Sequence, residues 1–198
     1  MRPVVTAAEM RAADEVATRA VGHDALVERA GLAAALAAVA MLPRVYGARV
    51  AVLCGPGDNG ADGAVCARHL AARGASVRVV DATDPPARLD GADLVVDAAF
   101  GTGLSRPYTA PETAAPVLAL DVPSGVDPDT GSAAGRVLPA VRTVAMAALK
   151  RGHVQGPGAA LSGVVAVADL GIVVDAPSVA LVDDEDLDRL PALGRDEH

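Results

Sequence analysis

The chain has 198 residues, 52% of them hydrophobic, enough for one large domain with a continuous core. Its formal net charge of -8, with no lysine or arginine run, excludes a basic footprint for a nucleic-acid backbone, so nucleic acid is not an expected partner. The longest apolar run, Leu32 to Leu42, falls far short of the roughly 20 residues that cross a bilayer, and the N-terminus has no signal-peptide pattern, so no membrane is involved and a soluble, cytoplasmic protein is expected.

Aromatic residues make up only 2%, which leaves Ala, Val and Leu to build the core. Cys54 and Cys66 form neither a CxxC pair nor a zinc cluster and read as small buried hydrophobes. The four scattered histidines, His23, His69, His153 and His198, read as surface or packing residues.

Along the chain, Thr6-Ala-Ala-Glu9 has the form of a capping box, and a helix from Ala7 to Arg19 follows it. An Ala-rich helix from Asp24 to Leu42 is apolar on most faces, so it should be buried, and Pro43 stops it. Both helices precede the first expected strand and should pack on the sheet. From Arg49 the pattern becomes strand (Val50 to Cys54), glycine loop, helix (Asp62 to Arg73), Gly74 as a stop, and strand (Val77 to Asp81), which is a βαβ unit. Further strands are expected at Leu94 to Asp97, Val117 to Leu120, Thr143 to Ala147 and Val164 to Ala168. This alternation predicts an α/β fold, a Rossmann-like three-layer sandwich with a mostly parallel central sheet and helices on both faces. The domain should run over 1–182, and the acidic stretch 183–198, with Asp183-Asp-Glu-Asp186, reads as a tail or linker.

Three of the expected strands end in loops of glycines and oxygen-bearing side chains: Gly55-Pro-Gly-Asp-Asn-Gly-Ala-Asp-Gly63, Gly101-Thr-Gly-Leu104 and Pro123-Ser-Gly125. Ligands of open parallel sheets bind beyond the carboxyl ends of the strands, so three such loops predict one shared pocket. Gly55-x-Gly57-x-x-Gly60, with Asp81 at the end of the next strand, satisfies the dinucleotide fingerprint, in which backbone N–H groups take the pyrophosphate and a carboxylate takes the ribose. It is not a Walker A loop, because no Lys-Ser/Thr follows. A glycine-rich turn that serves only close packing is the alternative. The fingerprint leaves open whether a nucleotide is coenzyme or substrate.

Gly55 to Gly63, Asp97-Ala-Ala-Phe-Gly-Thr-Gly-Leu104 and Asp121-Val-Pro-Ser-Gly-Val-Asp127 resemble, in order, the signature loops of NAD(P)H-hydrate epimerases, the YjeF N-terminal domain family. Ala8 to Asp14, Glu28-Arg-Ala-Gly31, Lys150-Arg-Gly152 and Val167 to Gly171 extend the resemblance over nearly the whole chain to about Ile172. It implies a homo-oligomer, a dimer, that interconverts the R and S epimers of hydrated NADH or NADPH, alongside an ADP- or ATP-dependent dehydratase that repairs the S form. By motif, Asp58, Asn59, Gly60, Ala61 and Asp62, together with Gly101, Thr102, Gly103, Leu104, Ser105, Arg106 and Pro107, would contact the substrate. Asp121 would meet its reactive end as the catalytic residue, with Lys150 as a second catalytic group. A potassium ion would map onto Asn59, Asp97 and Ser124.

The reacting carbon bears a hydroxyl and the ring nitrogen, so epimerisation needs a donor for the leaving oxygen and a base for its return. Asp121 is the expected carrier of most of this proton transfer. Lys150 could equally be a solvent-facing lysine, and Asp127 and Asp129 read as turn builders. Two departures from the family stand out: Asp58 adds negative charge near an expected pyrophosphate, and Ala61 adds a methyl where backbone should approach closely. The connections Ala82 to Ala92 and Ser105 to Pro116 are short for crossovers. A binding or scaffold module of the same fold, and an NAD-dependent oxidoreductase, are the competing functions.

Overall fold

The computed structural model describes residues 1–103, 107–175, 177–182 and 186. Strand β1 (Arg2–Val5) leads into α1 (Ala7–Val21) and α2 (His23–Met41). Then come β2 (Arg49–Cys54), α3 (Asp58–Ala72), β3 (Ser76–Asp81), β4 (Leu94–Ala98), β5 (Tyr108–Thr109) and β6 (Val117–Leu120). The remainder is β7 (Gly135–Arg136), β8 (Arg142–Met146), β9 (Leu149–Lys150), a 3-10 turn (Arg151–His153), α4 (Gly156–Leu161), β10 (Val164–Ala168) and β11 (Val179–Leu181). Six strands form one sheet in the order β10-β8-β6-β4-β2-β3, and all of its pairings are parallel. Among the described residues no helix is long and apolar enough to cross a membrane.

Parallel strands covered on both faces read as continuous apolar runs, and Leu94 to Ala98 and Val117 to Leu120 are buried throughout. Alternate residues separate the two faces. Val50, Val52, Leu94, Val96, Leu118, Leu120, Val144 and Met146 pack with Ala30, Ala34, Ala35 and Ala38 of α2 and with Cys66, Ala67 and Leu70 of α3. The fully buried Leu70 contributes about 2 kcal/mol by its removal from water. Small residues let the two helices meet closely: a Cβ on Gly31 would stand 2.3 Å from Val65 Cγ1 and 2.9 Å from the Asp62 carbonyl.

The opposite face carries Ala51, Leu53, Val95, Val117 and Ala119. Its cover is mostly irregular chain, stitched by Leu89 N–H to the Glu112 carbonyl (2.8 Å) and Ala110 N–H to the Arg136 carbonyl (2.9 Å). Thr143 points to this face, and its hydroxyl donates to the Ser162 carbonyl at 2.7 Å, which puts α4 there. Helices therefore occupy both faces, two long ones on one side and a six-residue one on the other. The short connections expected from the sequence take the place of the missing helices.

Two expectations need correction. A strand precedes the first helix: β1 pairs with β9 in parallel and with β11 antiparallel, forming a second, three-stranded sheet. Helix α1 packs mainly on α2 and β1 rather than on the large sheet. Its capping box is as expected, with Glu9 N–H to Thr6 Oγ1 at 3.1 Å and Thr6 N–H to the Glu9 carboxylate at 2.7 Å. Of the acidic stretch 183–198, only residue 186 is described.

Candidate active site

A cavity of about 920 Å³ opens at the carboxyl ends of β2, β4, β6 and β8, where the sequence places it. Its floor includes Asn59, Phe100, Asp121 and Met146, and Met10 and Asp14 of α1 form part of its wall.

The glycine loop is tighter than a loop. Helix α3 starts at Asp58 rather than Asp62, so Asp58, Asn59, Gly60, Ala61 and Asp62 all belong to it; Asp58, Asn59 and Asp62 line the cavity, Gly60 and Ala61 do not, and the free N–H groups of its first turn suit an anion. Each glycine has its own reason. A Cβ on Gly60 would stand 1.8 Å from the Gly55 carbonyl oxygen, and one on Gly55 would stand 1.7 Å from the Ala99 oxygen. Gly57, which lines the cavity, has nothing within 4 Å of such a Cβ, so the room beside it is open to a ligand.

The second and third loops meet. Ser124 Oγ lies 2.6 Å from Asp97 Oδ1, and Ser124 N–H donates to Asp97 Oδ2 at 2.9 Å. Phe100 N–H donates to Ser124 Oγ at 2.9 Å, and the Phe100 carbonyl lies 3.0 Å from the same hydroxyl. The next residue, Gly101, sits between the first loop and the third. A Cβ placed on it would be 3.6 Å from Asn59 Cγ and 3.3 Å from Asp121 Oδ2. Thr102 and Gly103 also line the cavity. Pro107 borders a smaller cavity of about 320 Å³ with Phe100 and Tyr108. Leu104, Ser105 and Arg106 lie outside the described residues.

Asn59 is buried, and both side-chain atoms of its amide lack a hydrogen-bond partner among the described residues. Such orphans are expensive unless a ligand satisfies them. Burial pushes the Asp97 carboxyl above its ordinary value, against the hydrogen bonds from Ser124 and Ala99. An unsatisfied amide, a buried carboxylate and a hydroxyl have the chemistry of ligands for a hard cation of low charge.

Asp121 follows β6 with φ of 63°, a left-handed conformation that costs a non-glycine residue on the order of 1 kcal/mol and persists only when its surroundings enforce it. They do: its N–H donates to the Val144 carbonyl at 2.8 Å, its carbonyl faces His153 Nε2 at 2.7 Å, and its carboxylate is ion-paired with Lys150. Lys150 is fully buried, and its Nζ also donates to the Met146 carbonyl at 2.7 Å. The solvent-facing alternative for this lysine is thereby excluded.

Two cavity residues, Asp14 and His23, escape the sequence reading of the site, and the role of a third, Asp62, is understated by it. Asp14 lies within an expected helix, and burial raises its carboxyl to about 6. His23, at the start of α2, bonds Asp58 at 3.0 Å, which raises its own basicity. Asp62 appears in the motif only as a contact residue. Burial pushes it up to about 8, with Asp121, Asp58 and Asp14 adding to the shift and His23 opposing it. Asp127 and Asp129 do build structure: Asp127 Oδ1 accepts from Thr130 N–H at 2.7 Å, and Asp129 Oδ1 accepts from Ala7 N–H, at the start of α1, at 2.7 Å.

A parallel sheet with a helix N-terminus at its mouth, and acid and base groups lining one cavity, defines a nucleotide-handling α/β protein. Comparison with known proteins narrows this class. The family model described as YjeF-related protein N-terminus matches residues 23–92 and 80–152, and the chain belongs to that family. It is 34% identical over 200 residues to the NAD(P)H-hydrate epimerase of Limosilactobacillus fermentum, covering 83% of this chain and 95% of the relative. The epimerase of Leuconostoc mesenteroides is 34% identical over 208 residues, covering 88% and 93%. The bifunctional NAD(P)H-hydrate repair enzyme Nnr of Thermofilum pendens is 35% identical over 203 residues, covering 81% of this chain but 38% of the relative. The crystal structure of yeast ynu0, YNL200c, superposes with a TM-score of 0.65 at 23% identity, over 78% of this chain and 85% of that one, and supports the fold.

Proposed function

We propose that the protein is an NAD(P)H-hydrate epimerase, an isomerase acting on hydrated NADH or NADPH. The observation that carries this reading is the pairing of a helix N-terminal cradle at Gly57 to Asp62 with a proton-transfer centre, Asp62, Asp121 and Lys150, in one cavity. In it the dinucleotide is substrate: the pyrophosphate rests on the first turn of α3, and the hydrated ring reaches Asp121.

The reaction needs no net change of atoms. A proton moves to the hydroxyl of the hydrated carbon, the C–O bond breaks to release water, and the ring nitrogen supplies the electron pair that forms a C=N bond. Water then adds from the opposite face and gives up a proton to a base. Two carboxyls in unlike surroundings divide such work. Asp62, buried and raised to about 8, is the donor. Asp121, paired with the Lys150 ammonium, is the base, and Lys150 holds it in place.

Asn59, Asp97 and Ser124 would hold a potassium ion, which would supply a fixed positive charge. The protein would act as a homodimer in the cytoplasm, next to an ADP- or ATP-dependent dehydratase, the second activity of a repair pair. The test is to incubate the purified protein with the R epimer of hydrated NADH and to follow the S epimer by chromatography, with and without potassium. Conversion no faster than in a protein-free control refutes the reading.

A further inference from the structure

His153 is read from the sequence as a packing or surface residue, yet it is buried at 4% exposure and both ring nitrogens are engaged. The Lys150 backbone N–H donates to Nδ1 at 3.0 Å. That bond fixes the tautomer, because Nδ1 accepts and the proton must reside on Nε2. Nε2–H then donates to the Asp121 carbonyl at 2.7 Å. The ring therefore joins the backbone of the two residues whose side chains form the buried ion pair.

The turn that carries His153 is itself pinned. Gly152 N–H donates to the Pro128 carbonyl at 2.7 Å, and a Cβ on Gly152 would stand 2.6 Å from the Asp127 oxygen. On the other side, Lys150 is held by β9 against Val5 of β1. Asp121 keeps a left-handed backbone, and its carbonyl bond to His153 is one of the restraints that orient the peptide following the carboxylate. Burial first, then the nearby Lys150 ammonium, lower His153 to about 4, so the ring stays neutral and keeps this hydrogen-bond polarity at neutral pH. Asp121 is the facing group that opposes that shift.

We propose that His153 is a positioning residue of this active site, whose neutral ring spans the segments bearing Asp121 and Lys150 and sets the reach of one charged group to the other. The inference rests on the reading of Asp121 and Lys150 given above. It assigns His153 no contact with substrate.

Side-chain geometry separates its two bonds. In His153→Gln the amide nitrogen takes the place of Nε2 and keeps the donor to Asp121. In His153→Asn the amide oxygen takes the place of Nδ1 and keeps only the bond from Lys150. Epimerisation kinetics should show kcat close to wild type for His153→Gln, and a kcat lower by about 10–100-fold with little change in KM for His153→Asn. Equal kcat in the two variants, or a loss confined to KM, overturns the proposal. A second measurement is independent of turnover: the ¹⁵N shifts of His153 in the wild-type protein should report the Nε2–H tautomer throughout pH 6–8. A ring that protonates in that range, or carries its proton on Nδ1, overturns the positioning role. If the wild type lacks epimerase activity while the tautomer is as stated, the reaction assignment fails and the clamp stands.

Discussion

Replacing Lys150 by Met removes the ammonium from a fully buried position while keeping much of the side-chain volume. Lys150 has no exposed surface, and the Asp121 side chain is 13% exposed, so the variant leaves a carboxylate in a nearly closed site without its partner. Breaking a buried pair from one side costs about 3–5 kcal/mol, a figure that here includes the bond from Nζ to the Met146 carbonyl. Water in the adjoining cavity can solvate Asp121 in part, which favours the lower end, about 3 kcal/mol. In a domain of this size that lowers Tm by about 6–12 °C. Calorimetry at pH 7, with urea unfolding to check that the m-value is unchanged, measures it. The double variant Asp121→Asn with Lys150→Met should be clearly more stable than the sum of the single losses allows, because it leaves no lone buried charge. A Lys150→Met protein within about 2 °C of wild type, or strict additivity in the double variant, refutes the account of this pair.

Gly60→Ala should abolish or severely weaken folding, because its Cβ would stand 1.8 Å from a backbone oxygen, whereas Gly57→Ala, with nothing within 4 Å, should keep wild-type Tm and lose affinity for the dinucleotide; titration calorimetry and thermal melts separate the two. Asn59→Ala should remove the stabilisation that potassium chloride gives relative to choline chloride, and a melt that stays equally potassium-sensitive counts against the proposed ligand set. For Asp62, raised from 3.8 to about 8, the folded protein holds a proton that the unfolded chain has released, so wild-type stability falls as pH rises from about 4 to about 8. Asp62→Asn should flatten that slope, by at most a few kcal/mol between the two pH limits, and should remove the alkaline limb of the kcat profile; a slope identical to wild type would falsify the buried-acid assignment.

The strands and the order of the three loops are legible in the sequence because they are local: apolar runs of four to six residues, then glycine. The start of α3 is not. Gly60 and Gly63 are poor helix formers, and helicity from Asp58 is imposed by close contacts with Gly55 and Ala98, which no propensity carries. Strands β1, β9 and β11 are two to four residues long, and their partners are distant, Val4 opposite both Leu149 and Val179. The same distance hides His23 and His153. Each acquires its role from a residue more than 30 positions away, so a histidine with no neighbouring ligand pattern reads as ordinary.

The motif and the surroundings draw attention to different cavity carboxyls. Read as a motif, Asp121 carries the chemistry and Asp62 is a contact. An acid that must give up a proton near neutral pH needs surroundings that penalise its charge, and Asp62 has them: burial and three nearby carboxylates. Asp121 is held instead by a buried ammonium on its carboxylate and by a backbone locked at both N–H and carbonyl. The proposed mechanism accordingly splits the work between the helix turn and the strand end. On the proposed mechanism the cradle and the ion pair share one cavity because the helix that would receive the pyrophosphate also carries the group that would deliver the proton.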